Sequence, residues 1–362
     1  MSDSEFKINT VAVIGSGVMG SGIAAQVANA GHKVLLLDIM PEGAANRNVI
    51  AETALARMKK ADPAPFMSKR AAKLVETGNI EDDLEKLAGV DWIIEVVVEK
   101  LEVKQALYRR IDAVRKPGTA ISSNTSTIPL ARLVEGMPEA FVRDFMITHF
   151  FNPPRYMRLM ELVTGPDTNE ALAAAVTDFA DRKLGKSVVV CNDRPGFVAN
   201  RLGVTWIQLG VLKAMEEGLT VEEADAVMGK PFGIPKTGIF GLIDLVGLDL
   251  MPHIGASLKS ALPDGDMFHE TNRDLPLVNK MIADGYTGRK GKGGFYRLNR
   301  EGGKKVKEAR NLTTGEYHTA NRRAAFPSAK MGKRGLSPLM DCDDDGARLV
   351  SDVLLDSLSY AA

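Results

Sequence analysis

The sequence predicts an α/β protein with a doubly wound, mostly parallel sheet followed by a second, all-helical domain. Three observations carry this. Short β-branched runs alternate with helix-forming stretches as far as Cys191. A glycine-rich turn, GSGVMG (15–20), joins the first run to the first helical stretch. Beyond DRPGF (193–197), strand signals thin out and long helical patterns run to about Gly285. The expected limits are 1–193 for the sheet domain and 194–297 for the helical domain. Residues 298–362 are expected to be a polar linker and the start of a further helical repeat.

Each element has its own signal. INTVAVI (8–14) is a short β-branched run suited to a strand covered on both faces. SGIAAQVANAG carries small residues at helical spacing and stops at Gly31. KVLLLD (33–38) completes a strand–helix–strand unit of about thirty residues, the size of a parallel crossover. Residues 41–87, rich in Ala, Lys, Glu and Arg, read as a long helical excursion, a hairpin broken near Pro63 and Pro65. WIIEVVV (92–98), TAISSN (119–124), FMITHFF (145–151), LMELV (159–163) and SVVVC (187–191) continue the strand series. GRKGKGGFY (288–296) is a glycine-rich basic turn, residues 298–340 are polar with low periodicity, and GARLVSDVLLDSLSYAA closes the chain as an amphipathic helix.

A chain of 362 residues exceeds one typical core, which favours two domains. A net charge of zero argues against nucleic acid or an anionic membrane as a general partner. Two cysteines, Cys191 and Cys342, cannot build a disulfide framework or a multi-cysteine zinc site, and a reducing compartment is expected. The N-terminus lacks the basic-then-apolar order of a secretory signal, and no apolar run reaches membrane-span length. The expectation is a soluble, cytoplasmic protein without a metal site.

GSGVMG fits G-x-G-x-x-G. Gly15 permits the tight turn, Gly17 lets a phosphate approach the backbone, and Gly20 allows close helix–strand packing. Val18 and Met19 open the helix, whose free N–H groups and partial positive charge suit a pyrophosphate. Alone, such a motif is as readily a flexible turn. Here a strand precedes it, a helix follows, and Asp38 ends the second strand 23 residues beyond Gly15. A carboxylate there accepts both ribose hydroxyls and repels a 2′-phosphate, which points to a Rossmann-type domain and to NAD rather than NADP.

SSNTST (122–127) clusters hydroxyl and amide side chains at a strand end, the side of a parallel sheet that faces its ligand. Turn and cap chemistry explains the same residues equally well. His149 also ends a strand. A lone histidine is more often structural, yet oxidising an alcohol with NAD needs a group to take the hydroxyl proton, and imidazole titrates near working pH. Glu161, among Met, Leu and Val, is costly to bury unless paired. Pairing with His149 would orient the ring and stabilise the imidazolium.

GSGVMGSGIA, SSNTST, THFFNPPRYMRLMELV and DRPGFVANRLG, in that order, resemble the NAD-dependent L-3-hydroxyacyl-CoA dehydrogenases of fatty-acid β-oxidation. The resemblance covers roughly residues 7–297, with HFFNP followed by a Glu and PGF-x-x-NR as its most specific parts. It implies NAD as cofactor, an acyl-CoA substrate, and a helical domain that mediates dimerisation or its equivalent within a larger chain. It also implies roles: His149 as general base, Glu161 as its partner, Ser126 and Asn200 on the substrate oxygen, and Glu99, Lys104 and Lys290 as cofactor contacts. The implied reaction converts (3S)-3-hydroxyacyl-CoA and NAD⁺ to 3-ketoacyl-CoA, NADH and a proton.

The chain departs from the pattern in two places. The serine and lysine that usually contact coenzyme A fall near Ala54 and Ala61, so Lys59 and Lys60 could serve the phosphates or simply form a solvated helix face. GIPKTGIFGLIDLVGLD (233–249) matches the common G-P-F-x-x-x-D-x-x-G-L-D segment only in its second half, with Thr237-Gly238 and a displaced Pro235 in place of Gly-Pro. This form resembles the branch in which the dehydrogenase is joined to an enoyl-CoA hydratase. The expectation is the N-terminal piece of a longer bifunctional protein, whose last helix buries its apolar face on a neighbouring molecule and whose KKVKEAR (304–310) is a solvated linker.

Two other enzyme branches and one non-enzyme compete. The L-gulonate and λ-crystallin branch shares an Asn-Pro-Pro turn, here Asn152-Pro153-Pro154, but usually lacks the double Phe of Phe150-Phe151. The 3-hydroxyisobutyrate dehydrogenases use a lysine base and no histidine–glutamate pair. A non-catalytic NAD-binding protein is disfavoured by the joint presence of Ser126, His149, Glu161 and Asn200.

Overall fold

The computed structural model describes residues 6–232, 237–300, 303–321, 326–331 and 336–362. It divides into two compact units, Met1–Val198 and Ala199–Ala362.

The first unit is built on eight strands: β1 (Thr10–Ile14), β2 (Lys33–Asp38), β3 (Val75–Asn79), β4 (Trp92–Glu95), β5 (Ala120–Ser123), β6 (Phe145–Phe150), β7 (Leu159–Thr164) and β8 (Ser187–Cys191). Their order across the sheet is β3-β2-β1-β4-β5-β6-β7-β8. Every neighbouring pair is parallel except β6 and β7, which run antiparallel. The helices are α1 (Val18–Asn29), α2 (Val49–Met58), α3 (Leu101–Val114), α4 (Leu130–Leu133), α5 (Glu139–Asp144) and α6 (Glu170–Arg182). Because side chains alternate along a strand, continuous apolar runs feed two cores. Val11, Val13 and Trp92 pack on one face with residues of α1 and α6, while Ala12, Ile14 and Ile93 pack on the other with residues of α3 and α5.

The 41–87 excursion differs from its expectation. Only Val49–Met58 is a long helix, and Val75–Asn79 joins the sheet as an edge strand. The segment VETGN escapes the eye because an edge strand needs few apolar residues, and this one supplies Val75 as its only large one. The unit runs on past Asp193 because Phe197 is buried in its core and the Val198 N–H bonds Glu161.

The second unit contains α7 (Ala199–Glu216), α8 (Val221–Val227), α9 (Gly238–Val246), α10 (Leu250–Ala261), α11 (Phe268–Thr271), α12 (Pro276–Ala283), α13 (Leu336–Met340) and α14 (Asp345–Ala361). A capping box between Thr220 and Glu223 starts α8. The expected linker is instead structured: β9 (Tyr296–Asn299), β10 (Val306–Arg310) and β11 (Tyr317–Thr319) form an antiparallel sheet. KKVKEAR thus ends in a strand, with Ala309 fully buried between charged neighbours. The last helix is not left to a neighbouring molecule either. Leu349, Val350 and Val353 of α14 lie in the same core as residues of α7 and α8. Pro235 lies outside the described residues. Among those residues, no single helix is long and apolar enough to cross a membrane.

Candidate active site

The glycine loop has the shape a dinucleotide requires. Gly15 sits at φ 104°, and a Cβ there would lie 2.5 Å from the carbonyl oxygen of Val96, just past the end of β4. A Cβ on Gly20 would meet the Gly15 carbonyl at a clash distance, whereas one on Gly17 would meet nothing within 4 Å. Gly17 therefore faces open space at the head of α1, which no side chain caps, leaving the first N–H groups for an anion. Asp38 is tied to this loop. Its Oδ2 accepts from the Ser16 N–H at 2.5 Å and the Ser16 hydroxyl at 2.6 Å, and its Oδ1 from the Ile39 N–H at 2.7 Å. Open backbone, uncapped helix and a carboxylate at the next strand end fit NAD.

The ends of β4 and β5 are joined by a polar network. Glu95 is fully buried and accepts from Lys104 Nζ at 2.7 Å, Tyr108 Oη at 2.7 Å, Ser123 Oγ at 2.6 Å and the Val97 N–H at 2.8 Å. Lys104 also reaches Glu99 at 3.2 Å. Lys104 is 1% exposed, and its ammonium is shared between these two carboxylates. Glu99 is partly exposed. Burial raises its pKa, but Lys104 and the Thr125 and Thr127 hydroxyls outweigh this and hold it below the usual carboxylate range. It accepts from the Thr125 hydroxyl, the Thr127 hydroxyl at 3.0 Å and the Ser126 N–H at 3.2 Å. Ser126 is half-buried, and no described residue hydrogen-bonds its hydroxyl.

His149 and Glu161 are direct partners across the antiparallel β6–β7 pair, so their side chains share one face. His149 Nδ1 lies 2.7 Å from Glu161 Oε2. Glu161 is fully buried, and its Oε1 accepts the Val198 N–H at 3.0 Å. Burial, and then the Glu161 charge, push the neighbouring Cys191 thiol up to about 11, so it stays neutral. Phe151 packs edge-on to the imidazole at 4.6 Å and Phe197 lies 5.7 Å away. The double Phe is divided: Phe150 points into the core and stacks with Trp92, and only Phe151 flanks the histidine.

Two residues near the dyad escaped sequence reasoning. The Asn124 side chain accepts the Phe150 N–H at 2.9 Å, bracing the strand that carries His149. Lys186 is 1% exposed, donates to the carbonyls of Pro154 and of Met157 (2.8 Å), and lies 5.4 Å from the Phe150 ring centre. Asn124 lies within the SSNTST cluster but has no signal of its own there, and Lys186 has no motif signal. In the second unit, Asn200 lies in the first turn of α7, and Lys290 pairs with Asp249 at 2.8 Å.

Residues 10–194 match the family model described as 3-hydroxyacyl-CoA dehydrogenase, NAD binding domain, and residues 196–298 match the C-terminal domain of the same family. A Rickettsia felis protein named "Putative fatty acid oxidation complex trifunctional enzyme" is 41% identical over 98% of this chain. The chain spans only 49% of that protein's length. A Deinococcus radiodurans protein named "Probable 3-hydroxyacyl-CoA dehydrogenase" is 43% identical, covering 82% of this chain and 84% of its own. The crystal structure of Mycobacterium tuberculosis FadB2 matches 81% of this chain and 99% of its own, with 33% identity and a TM-score of 0.64. These names do not favour the sugar-acid reading.

Proposed function

Because this chain belongs to the 3-hydroxyacyl-CoA dehydrogenase family, we propose that it oxidises (3S)-3-hydroxyacyl-CoA to 3-ketoacyl-CoA in fatty-acid β-oxidation. The observation that carries the reading is the 2.7 Å pairing of His149 Nδ1 with a fully buried Glu161. With Nδ1–H donated to the carboxylate, Nε2 is left as the basic atom and takes the substrate hydroxyl proton. Glu161 then faces an imidazolium, and its own position is held by the Val198 N–H. The Ser126 hydroxyl and the Asn200 amide hold the substrate oxygen. Gly15, Gly17, Val18, Met19, Gly20 and Asp38 hold NAD, with Glu99, Lys104 and Lys290 as further contacts. NAD, when bound, supplies the hydride acceptor.

The partners in this reading are an acyl-CoA substrate, a second copy of the chain through the helical unit, and an enoyl-CoA hydratase module in the full-length protein. The trifunctional name of the Rickettsia felis relative supports the last of these. The test is consumption of NADH with acetoacetyl-CoA. The native chain should turn over, and His149→Gln should lose about 10²–10⁴-fold in rate while its NADH fluorescence titration stays unchanged. Near-normal turnover by that variant would sink the assignment.

A further inference from the structure

We propose that Glu95, with Lys104 and Tyr108, is a buried positioning unit that acts through Glu99 on the Thr125–Thr127 loop and so sets where Ser126 presents its hydroxyl. The inference rests on the reading of Ser126 as a substrate-oxygen ligand.

Glu95 ends β4 beside Ser123 of β5 and Ile14 of β1, with no exposure. An apolar residue would fill a fully buried strand end without the cost of desolvating a charge. This carboxylate is instead saturated by four donors, two on each oxygen: Lys104 and the Val97 N–H on Oε1, Tyr108 and Ser123 on Oε2. Its position is therefore fixed by α3, by its own strand and by β5 together.

From there the connections run outward in order. Lys104 is shared between Glu95 at 2.7 Å and Glu99 at 3.2 Å, so the cation that orients Glu99 is itself anchored to the sheet. Glu99 turns one oxygen to Lys104 and the other to donors from three consecutive residues, Thr125, Ser126 and Thr127. A second route is shorter. Ser123 Oγ donates to Glu95 and accepts the Thr125 N–H at 3.2 Å, while Thr125 Oγ1 accepts the Thr127 and Ile128 N–H groups. The loop bearing Ser126 thus hangs from two carboxylates, and the Ser126 hydroxyl is the polar group left uncommitted.

A merely structural network would stabilise the unit without coupling to Ser126. Glu95→Gln and the gentler Tyr108→Phe separate the two cases. Misplacing a substrate ligand costs rate, so kcat with acetoacetyl-CoA should fall about 10- to 100-fold, measured at saturating NADH because Glu99 is also a cofactor contact. In a Ser126→Ala background, the same changes should cause little further fall, because the residue they act through is gone. Equal falls in both backgrounds overturn the proposal. Amide exchange of residues 125–128 on the full chain needs no substrate, and it should quicken in both variants while β1 and β5 stay protected. Unchanged exchange there overturns the proposal even if Glu95→Gln folds poorly, since Tyr108→Phe gives the same reading. Failure of the native chain to turn over acetoacetyl-CoA would sink the functional reading instead, and the exchange experiment would still decide the loop.

Discussion

Gly17 and Gly20 stand three residues apart and serve opposite needs. A methyl on Gly20 collides with the Gly15 backbone, while a methyl on Gly17 meets open space. Gly20→Ala should therefore lower the melting temperature of the first unit. Gly17→Ala should leave it unchanged yet weaken NADH binding, as a fluorescence titration would report. The glycines, Asp38, His149 and Glu161 were legible in the sequence through their context: a strand, a helix and a second strand frame the glycine loop, and a carboxylate among apolar residues needs a partner. The burial of Lys104 was not legible because burial has no local signature: on an amphipathic helix, a lysine facing inward reads like one facing water. Glu95 was hidden inside WIIEVVV, where the apolar run drew attention and the acid looked incidental.

The strands of the sheet were legible wherever the apolar run is continuous, as in the buried KVLLLD and in the edge strand SVVVC, where Val190 is exposed, and the structure reproduces the limits of both. Strands without such a run were not. VETGN and the three strands after Phe295 are short and mix few apolar residues with polar ones, and only their partners reveal them. The connection between β6 and β7 has a comparable hidden support in Lys186. Burial pushes this lysine down to about 8. The unfolded chain then binds the proton more tightly than the folded one. Its contribution to stability is present above the ordinary lysine range and is lost as pH falls through about 8. Lys186→Met should remove that part of the pH dependence but free the carbonyls of Pro154 and Met157, so amide exchange across 155–158 should quicken.

The second unit titrates with the opposite sign. Burial pushes Asp225 up to about 7 and Asp244 up to about 6, although each accepts hydrogen bonds from backbone N–H groups. The folded unit binds these protons more tightly than the unfolded chain. Its stability is greatest below the ordinary carboxylate range and is lost as pH rises through 6 and 7. Calorimetry between about pH 5 and about pH 8 should show its transition falling, and Asp225→Asn should flatten the trend. The unit also needs its tail. A chain cut after Leu298, where the family match ends, loses the buried Ala309, Leu312, Leu349, Val350 and Val353. Limited proteolysis should then degrade everything beyond Val198 and spare the first unit. Finally, the one antiparallel joint of the large sheet sets the partnership at the site. Glu161 faces His149 because β7 is held in register by β6 on one side and β8 on the other. A one-residue slip of β7 would turn Glu161 to the opposite face and leave the imidazole without its carboxylate, so the proton chemistry is inherited with the sheet's register.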